Sequence, residues 1–255
     1  MKNWQAILLL IFFISCEEES NLDLKGEDEV SIVIEALFTN ELKQQEVKIT
    51  KIFQNLNDVP EPVTSAIVIY VVEDHIELLT RHPDKTGVYQ TRPFRALTGQ
   101  YYGLGVRYNG VDYTAYAYSE PGEPLETLTI SPVSDSLFEY HYTESRQPSM
   151  MEVYINSTGK EPQLHRFYTL DVLDVNQIFA PAKEPVTFPV GSQIVRRKYS
   201  LNEDHQEFLR AFLSEVDWRG GLFDIAPGNV PTNFTNGAKG YFAVSTVNID
   251  TTSVD

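Results

Sequence analysis

The sequence predicts a mainly β protein: an antiparallel sandwich followed by a second β-rich part that carries one helix. Three observations predict it. Short alternating apolar runs recur between turn signals at spacings of roughly eight to twelve residues, the pattern of stacked antiparallel strands. Tyr and Phe, which favour strands, number 14 each. A single stretch near the C-terminal end has clear helical periodicity.

Residues 1–15 read as a signal peptide and stand outside the fold. Lys2 supplies the positive charge, Trp4–Ile14 is almost wholly apolar, and the small Ser15 immediately precedes Cys16. That apolar run is too short for a bilayer crossing, which takes about 20 residues. Cys16 is the only cysteine in the chain, and it sits where a lipoprotein signal is cut. Its thiol is expected to carry a diacylglyceryl group and its new amino terminus an acyl chain. An incidental cysteine behind a plain signal peptide is the blander alternative. Several chains, at about 0.8 kcal/mol per buried methylene, hold far more firmly than one myristoyl group. No thiol is then left for a disulfide, so stability has to come from apolar burial.

Glu17-Glu18-Glu19 follows directly. Such a run is either a solvated tether or a sorting signal. It resembles the export signal of surface lipoproteins in the Gram-negative phylum that uses SusC/SusD-type nutrient transporters. Residues 16–29 are expected to form a lipidated acidic tether. The net charge is −16 with a pI near 4.7. A field of that sign repels phosphates, which excludes nucleic acid and anionic lipid headgroups as partners.

The first domain is expected over residues 30–122. Val30–Phe38, Glu46–Phe53, Ser65–Val72, His75–Arg81 and Val88–Thr91 read as strands, separated by the polar loop Gln54–Pro62 and the turn His82–Gly87. The hairpin Tyr101–Tyr118 is the best-determined element. Asn109-Gly110 suits a two-residue type I′ turn, where both central residues need φ > 0. That turn sets Tyr108 against Val111, Val106 against Tyr113, Leu104 against Ala115 and Tyr102 against Ala117, an apolar core face. On the other face Arg107 opposes Asp112, Gly103 opposes Tyr116, and Tyr101 opposes Tyr118. Tyr116 could cover the bare backbone of Gly103. Tyr101, Tyr116 and Tyr118 are either ordinary strand aromatics or a ligand platform of the kind that binds sugars.

Glu120–Pro124 reads as a boundary, with a β-rich C-terminal domain over 123–255. Its strand signals are Leu125–Ile130, Leu137–Thr143, Met151–Ile155, Leu164–Leu173 and Val186–Phe188, with turns at Asn156–Lys160 and Ala180–Pro185. The helix is expected over about 200–218. Ser200 and Glu203 fit a capping box, Phe208, Leu209, Phe212, Leu213 and Val216 recur at helical spacing, and Gly220-Gly221 stops it. A stripe of that kind is ordinarily core packing.

The search for chemistry finds no H-E-x-x-H, G-x-S-x-G, phosphate-binding glycine loop or EF-hand loop. The five histidines (75, 82, 141, 165, 205) are scattered without zinc-ligand spacing. No catalytic residue, metal site or cofactor is expected. Asn55, Asn57 and Asp58 could hold calcium through oxygens, though a polar connection explains them as well. Asn156-Ser157-Thr158 and Asn233-Phe234-Thr235 match the N-glycosylation sequon, and Asp135-Ser136-Leu137 and Asp250-Thr251-Thr252 match a short O-glycosylation pattern.

The segment Phe223-Asp224-Ile225-Ala226-Pro227-Gly228-Asn229-Val230-Pro231-Thr232-Asn233 leads into Gly237-Ala238-Lys239-Gly240-Tyr241-Phe242-Ala243-Val244-Ser245, a loop followed by a final strand. This segment, the Cys16 lipobox, Gly99-x-x-Tyr102-x-Leu104-x-Val106 and Tyr113-Thr114-Ala115 together resemble a Bacteroidota-type surface-lipoprotein family of unknown function, number forty-two forty-nine in its series. The likeness runs from the leader to about Val247. It implies an immunoglobulin- or transthyretin-like first domain, a second β-rich part and an association with TonB-dependent receptors, and it brings no catalytic residues. The expected role is a non-catalytic accessory or substrate-binding component of a TonB-dependent transport system, lipid-anchored in the outer membrane and surface-exposed. A structural or adhesive surface module is the first alternative, and a hydrolase with an unrecognised carboxylate pair the second. Recognition is expected in the loop containing Asp224, Pro227, Asn229, Pro231 and Asn233, unless its prolines and glycines only shape a cover over the sandwich edge. The ligand is not specified.

Overall fold

The computed structural model describes residues 32–52, 59–170, 185–216 and 230–254. Cys16, Glu17, Glu18, Glu19, Asn55, Asn57, Asp58, Gly220, Gly221, Asp224, Pro227 and Asn229 lie outside the described residues.

The alternating runs of the first half form β1 (Ile32–Thr39), β2 (Glu46–Lys51), β3 (Ile67–Val72), β4 (His75–Leu78), β5 (Thr80–Arg81), β6 (Val88–Gln90), β7 (Tyr101–Tyr108) and β8 (Val111–Tyr118). The second half supplies β9 (Thr129–Ser134), β10 (Leu137–His141), β11 (Ser149–Asn156), β12 (Gln163–Thr169), β13 (Val186–Pro189), β14 (Gln193–Ser200), the helix α1 (Glu203–Val216), β15 (Lys239–Ser245) and β16 (Val247–Ser253). The mainly β expectation is met, with one helix among the described residues.

Four sheets make two sandwiches. The order β15-β1-β2-β6-β5 faces β4-β3-β7-β8 in the first, and β13-β10-β9 faces β12-β11-β14-β16 in the second. Period-two alternation carries Ile32, Ile34 and Phe38 of β1, Val68 and Tyr70 of β3, and Leu104 and Val106 of β7 into one shared core. A smaller core collects Tyr140, Met151, Val153, Ile155, Phe188 and Ile194. The hairpin has the predicted register throughout, from Tyr101–Tyr118 to Tyr108–Val111. Asn109 (φ 49°) and Gly110 (φ 82°) adopt the positive values that a type I′ turn needs.

The sandwich begun at residue 32 is completed by a strand from the far end of the chain. β15 pairs parallel with β1, Val33 with Lys239 through Thr39 with Ser245. After Thr246 the same ribbon continues as β16 and pairs antiparallel with β14 of the second sandwich. The β15–β16 ribbon therefore crosses the boundary read at 122/123. Its crossing point is locked by Asn40, whose amide oxygen accepts from the Val247 N–H at 2.8 Å and whose amide nitrogen donates to the Val247 carbonyl. Ser200 adds to the lock, accepting from the Thr246 N–H at 2.9 Å and donating to the Glu120 carbonyl.

Ser200 is therefore the last residue of β14 and not a helix cap. The cap is Asn202, whose side-chain oxygen accepts the His205 N–H at 2.8 Å, while its amide nitrogen donates to the Tyr118 carbonyl. The expected start moves by three residues because the serine hydroxyl is already engaged by the ribbon.

A buried polar hub fixes the β1–β2 connection. The fully buried Gln45 accepts from the Thr39 N–H at 3.0 Å and donates to the carbonyls of Thr39, Glu41 and Phe94. Replacing it with an apolar residue of similar size strands those groups away from water. Gln45→Leu is expected to cost about 3 kcal/mol, read as a lower urea midpoint at unchanged slope.

Candidate functional site

Two surfaces of the first sandwich lie outside its core, and each has a distinct chemistry. The first is a cleft of about 810 Å³ between α1 and the outer face of the β15-β1-β2 sheet. Alternation turns Val33, Glu35 and Leu37 of β1 and Tyr241 and Ala243 of β15 toward it, opposite their core-facing neighbours. The helix supplies His205, Phe208, Leu209 and Phe212. Tyr241 anchors the helix: the rings of Phe208 and His205 stack on it at 4.6 and 5.2 Å. Leu209 is buried, but Phe212 is exposed at the cleft. The helical stripe thus packs only in part and leaves an aromatic wall. Lys43, Glu46 and Lys48 bring charge to the rim, where Lys48 pairs with Glu35 at 3.0 Å.

Burial of His205, which is 7% exposed, pushes its imidazole down to about 4 from an ordinary 6.5. The unfolded chain takes up a proton near 6.5 that the native imidazole refuses until about 4. This contribution to stability is therefore full above the higher value and lost as pH falls between the two. His205→Phe keeps an aromatic ring against Tyr241 and removes the titration. The variant is expected to lose about 2 kcal/mol less than the parent between about pH 7 and about pH 5, measured by urea denaturation at both.

The second surface is the outer face of the β4-β3-β7-β8 sheet, which carries the three tyrosines. Tyr101 and Tyr116 are exposed and Tyr118 is half-buried. The Tyr101 and Tyr118 rings lie 4.8 Å apart at 49°. Tyr116 lies across Gly103 as expected: a Cβ built at that glycine would come 3.1 Å from its ring. The face continues through Ile69 and Leu78, paired across β3 and β4, and through Val71 and Ile76. Sequence reading picked out the tyrosines but not these aliphatic neighbours, although the unbroken run Ile67-Val-Ile-Tyr-Val-Val72 signals a strand apolar on both faces.

Of the loop residues, Pro231 and Asn233 are described. The Asn233 amide nitrogen donates to the carbonyls of Tyr116 (3.2 Å) and Phe242 (2.8 Å), and its oxygen accepts the Phe242 N–H. Thr235 exchanges backbone and hydroxyl hydrogen bonds with Thr114, and Asn236 donates to the Asp112 carbonyl. Asn233, Thr235 and Asn236 thus cover the free edge of β8, and Asn233 ties it to β15. Asn233, a sequon asparagine, has its amide committed to that edge.

Elsewhere the described polar clusters are ion pairs and hydrogen bonds between neighbouring segments. Glu77 accepts from the backbone and guanidinium of Arg92. Burial alone would raise its carboxyl, but the Arg92 bonds hold it below the usual range. Tyr70, buried beside Glu77, has its hydroxyl pushed up to about 12. Glu152 accepts from Arg166, Tyr154 and Tyr199, and Arg197 reaches from the second sandwich to Glu41 of the first. Lys198, buried in the second sandwich, donates to Glu126 at 2.6 Å and to the Pro124 carbonyl. Among the described residues, no group of three or more His, Cys, Asp or Glu stands together as a metal site, and no helix is long and apolar enough to cross a membrane.

A family model described as "Domain of unknown function (DUF4249)" matches residues 17–250, and the chain belongs to that family. This meets the sequence resemblance as far as the family itself. A comparison with curated proteins finds no match. Among solved structures the chain is similar to the FN1-FN3 domains of chicken CNTN1, at 13% identity and a TM-score of 0.29, covering 68% of this chain and 62% of that one. It is also similar to a two-domain fibronectin type-III segment of chicken tenascin, at 13% identity and a TM-score of 0.21, covering 66% and 89%. The match to the CNTN1 segment spans less than two thirds of its length.

Proposed function

We propose that the protein is a lipid-anchored, surface-exposed outer-membrane lipoprotein that serves as a non-catalytic accessory or substrate-binding component of a TonB-dependent transport system. The observation that carries this reading is the cleft beside α1. It combines an aromatic wall of Phe208, Phe212 and Tyr241 with a few charged groups at the rim, the composition of a site that holds a small ligand. The sequence supports the anchor through Ser15-Cys16 and the outward address through Glu17-Glu18-Glu19. The charge of −16 keeps the folded part away from anionic headgroups.

Growth with an alkyne-tagged fatty acid tests the anchor: the wild type is expected to label and Cys16→Ala to remain unlabelled. Protease added to intact cells tests the address. Cleavage of the wild type is expected, with protection when Glu17, Glu18 and Glu19 are all changed to alanine. An unlabelled wild type, or one protected in intact cells, overturns the reading. The ribbon of β15 and β16, which joins both sandwiches, is the one feature that favours a load-bearing surface module instead.

A further inference from the structure

We propose that the outer face of the β4-β3-β7-β8 sheet is a docking surface for a second outer-membrane protein, one with a neutral or basic apolar surface. This rests on the anchoring part of the function proposed above. The sheet already buries its inner face, through Tyr70, Leu104 and Val106, yet its outer face is also apolar. Leu78 is 63% exposed and Tyr116 71%, with Ile67, Ile76 and Tyr101 similarly open. A sheet apolar on both sides is the pattern of one that is covered on both sides.

These side chains form one continuous patch. The register sets Leu78 beside Ile69 and then Gly105, and Ile76 beside Val71, Gly103 and Tyr116. Four strands about 4.8 Å apart and some six residues long give a surface on the order of 400 Å². That is the size of the largest apolar patch on a typical monomer, which is often functional, and about half of the roughly 800 Å² that one partner contributes to a standard interface. Gly103 and Gly105 keep the central strand low, with Tyr116 and Ile69 laid over them. The result is a broad, flat floor, suited to another protein's surface rather than to a small molecule.

Charge and tether narrow the occupant. Within the strands of the face the charged pair Arg107 and Asp112 closes on itself through two hydrogen bonds of 2.5 and 2.7 Å, and Glu73 and Asp74 lie at its end, in the β3–β4 turn. The face has a neutral centre and an acidic end on a chain of net charge −16. A second copy would bring an equal negative charge to within about one Debye length, about 10 Å, so a neutral or basic partner is favoured over self-association. The segment between Cys16 and Ile32 reaches about 50 Å when extended. An anchored chain can therefore turn this face toward a neighbour in the same membrane.

The test places the photo-crosslinking residue p-benzoylphenylalanine at position 76, 116 or 160 of the full chain in living cells, followed by mass spectrometry of the adducts. Positions 76 and 116 lie on the face, and position 160 is an exposed turn of the second sandwich. The expected result is one outer-membrane protein crosslinked from 76 and 116 and not from 160, with at least tenfold loss of adduct at 116 when Leu78→Glu is added. The Leu78→Glu chain should unfold within a few degrees of the parent, since Leu78 is exposed. An adduct of two copies of this chain, an adduct with lipid, equal crosslinking from position 160, or no adduct overturns the proposal. If the crosslinked outer-membrane protein is not a TonB-dependent receptor, the docking face is supported and the transport role is lost.

Discussion

Gly240→Ala is expected to be the most damaging single substitution in the first sandwich, costing more than about 4 kcal/mol. Gly240 lies opposite Ile34 in the parallel pair, with φ of 89°. A Cβ built there would sit 2.2 Å from the Ile34 carbonyl oxygen and 3.0 Å from its nitrogen. Those are backbone atoms that cannot swing aside, so the methyl group fits only if β15 parts from β1. Two penalties combine: a left-handed backbone that L-residues avoid, and a clash in a sheet. Gly191 separates them, because its φ is 79° but a Cβ there meets nothing within 4 Å. Gly191→Ala should cost only about 1 kcal/mol. Urea denaturation of both variants measures the difference, and equal costs would mean that the β1–β15 seam is not closely packed.

The second large effect lies in the charge pair beneath the linker between the sandwiches. Lys198 is 3% exposed and holds Glu126, whose carboxylate also accepts from Ser145 at 2.9 Å. Burial alone would raise the Glu126 carboxyl, but Lys198 and the other donors hold it below the ordinary carboxylate range. Lys198→Met leaves a buried carboxylate without its counter-charge, at a cost of about 3–5 kcal/mol. The double variant Lys198→Met with Glu126→Gln should recover most of that. The single variant also changes the pH dependence. Without the ammonium, burial raises the native carboxyl relative to the parent, so part of the deficit is relieved as falling pH protonates it. Denaturant midpoints for the three chains at two pH values measure both effects. A deficit that survives in the double variant would show that the lysine acts through packing alone.

What the sequence displayed and what it concealed divide along physical lines. The β7–β8 hairpin was legible to the residue because Asn109-Gly110 sets register locally and alternation does the rest. Strand β14 was not anticipated: its charged run Arg196-Arg197-Lys198 is unlike a sheet interior, yet Arg196 and Lys198 are buried against Asp250 and Glu126. The helix was legible, but its start was misplaced, because Ser200 serves a strand that arrives from residue 246. The parallel pairing of β15 with β1 joins residues about 205 positions apart, and no local pattern encodes such a contact. For the candidate sites, the tyrosines signalled their face but the aliphatic half of it went unnoticed. The cleft was invisible because it joins β1 to a helix and a strand more than 160 residues away. Of the conspicuous loop, Asn233 commits its amide to closing the β8 edge.

The most direct test of the proposed role is to purify the full chain, tagged after Asp255 and expressed at its native level, from outer membranes in mild detergent. The mass and composition of what accompanies it are then measured by light scattering and mass spectrometry. The predicted result is a near one-to-one complex of the lipid-modified chain with a TonB-dependent receptor. Lipid-modified, intact chain recovered alone from the same membranes would contradict it.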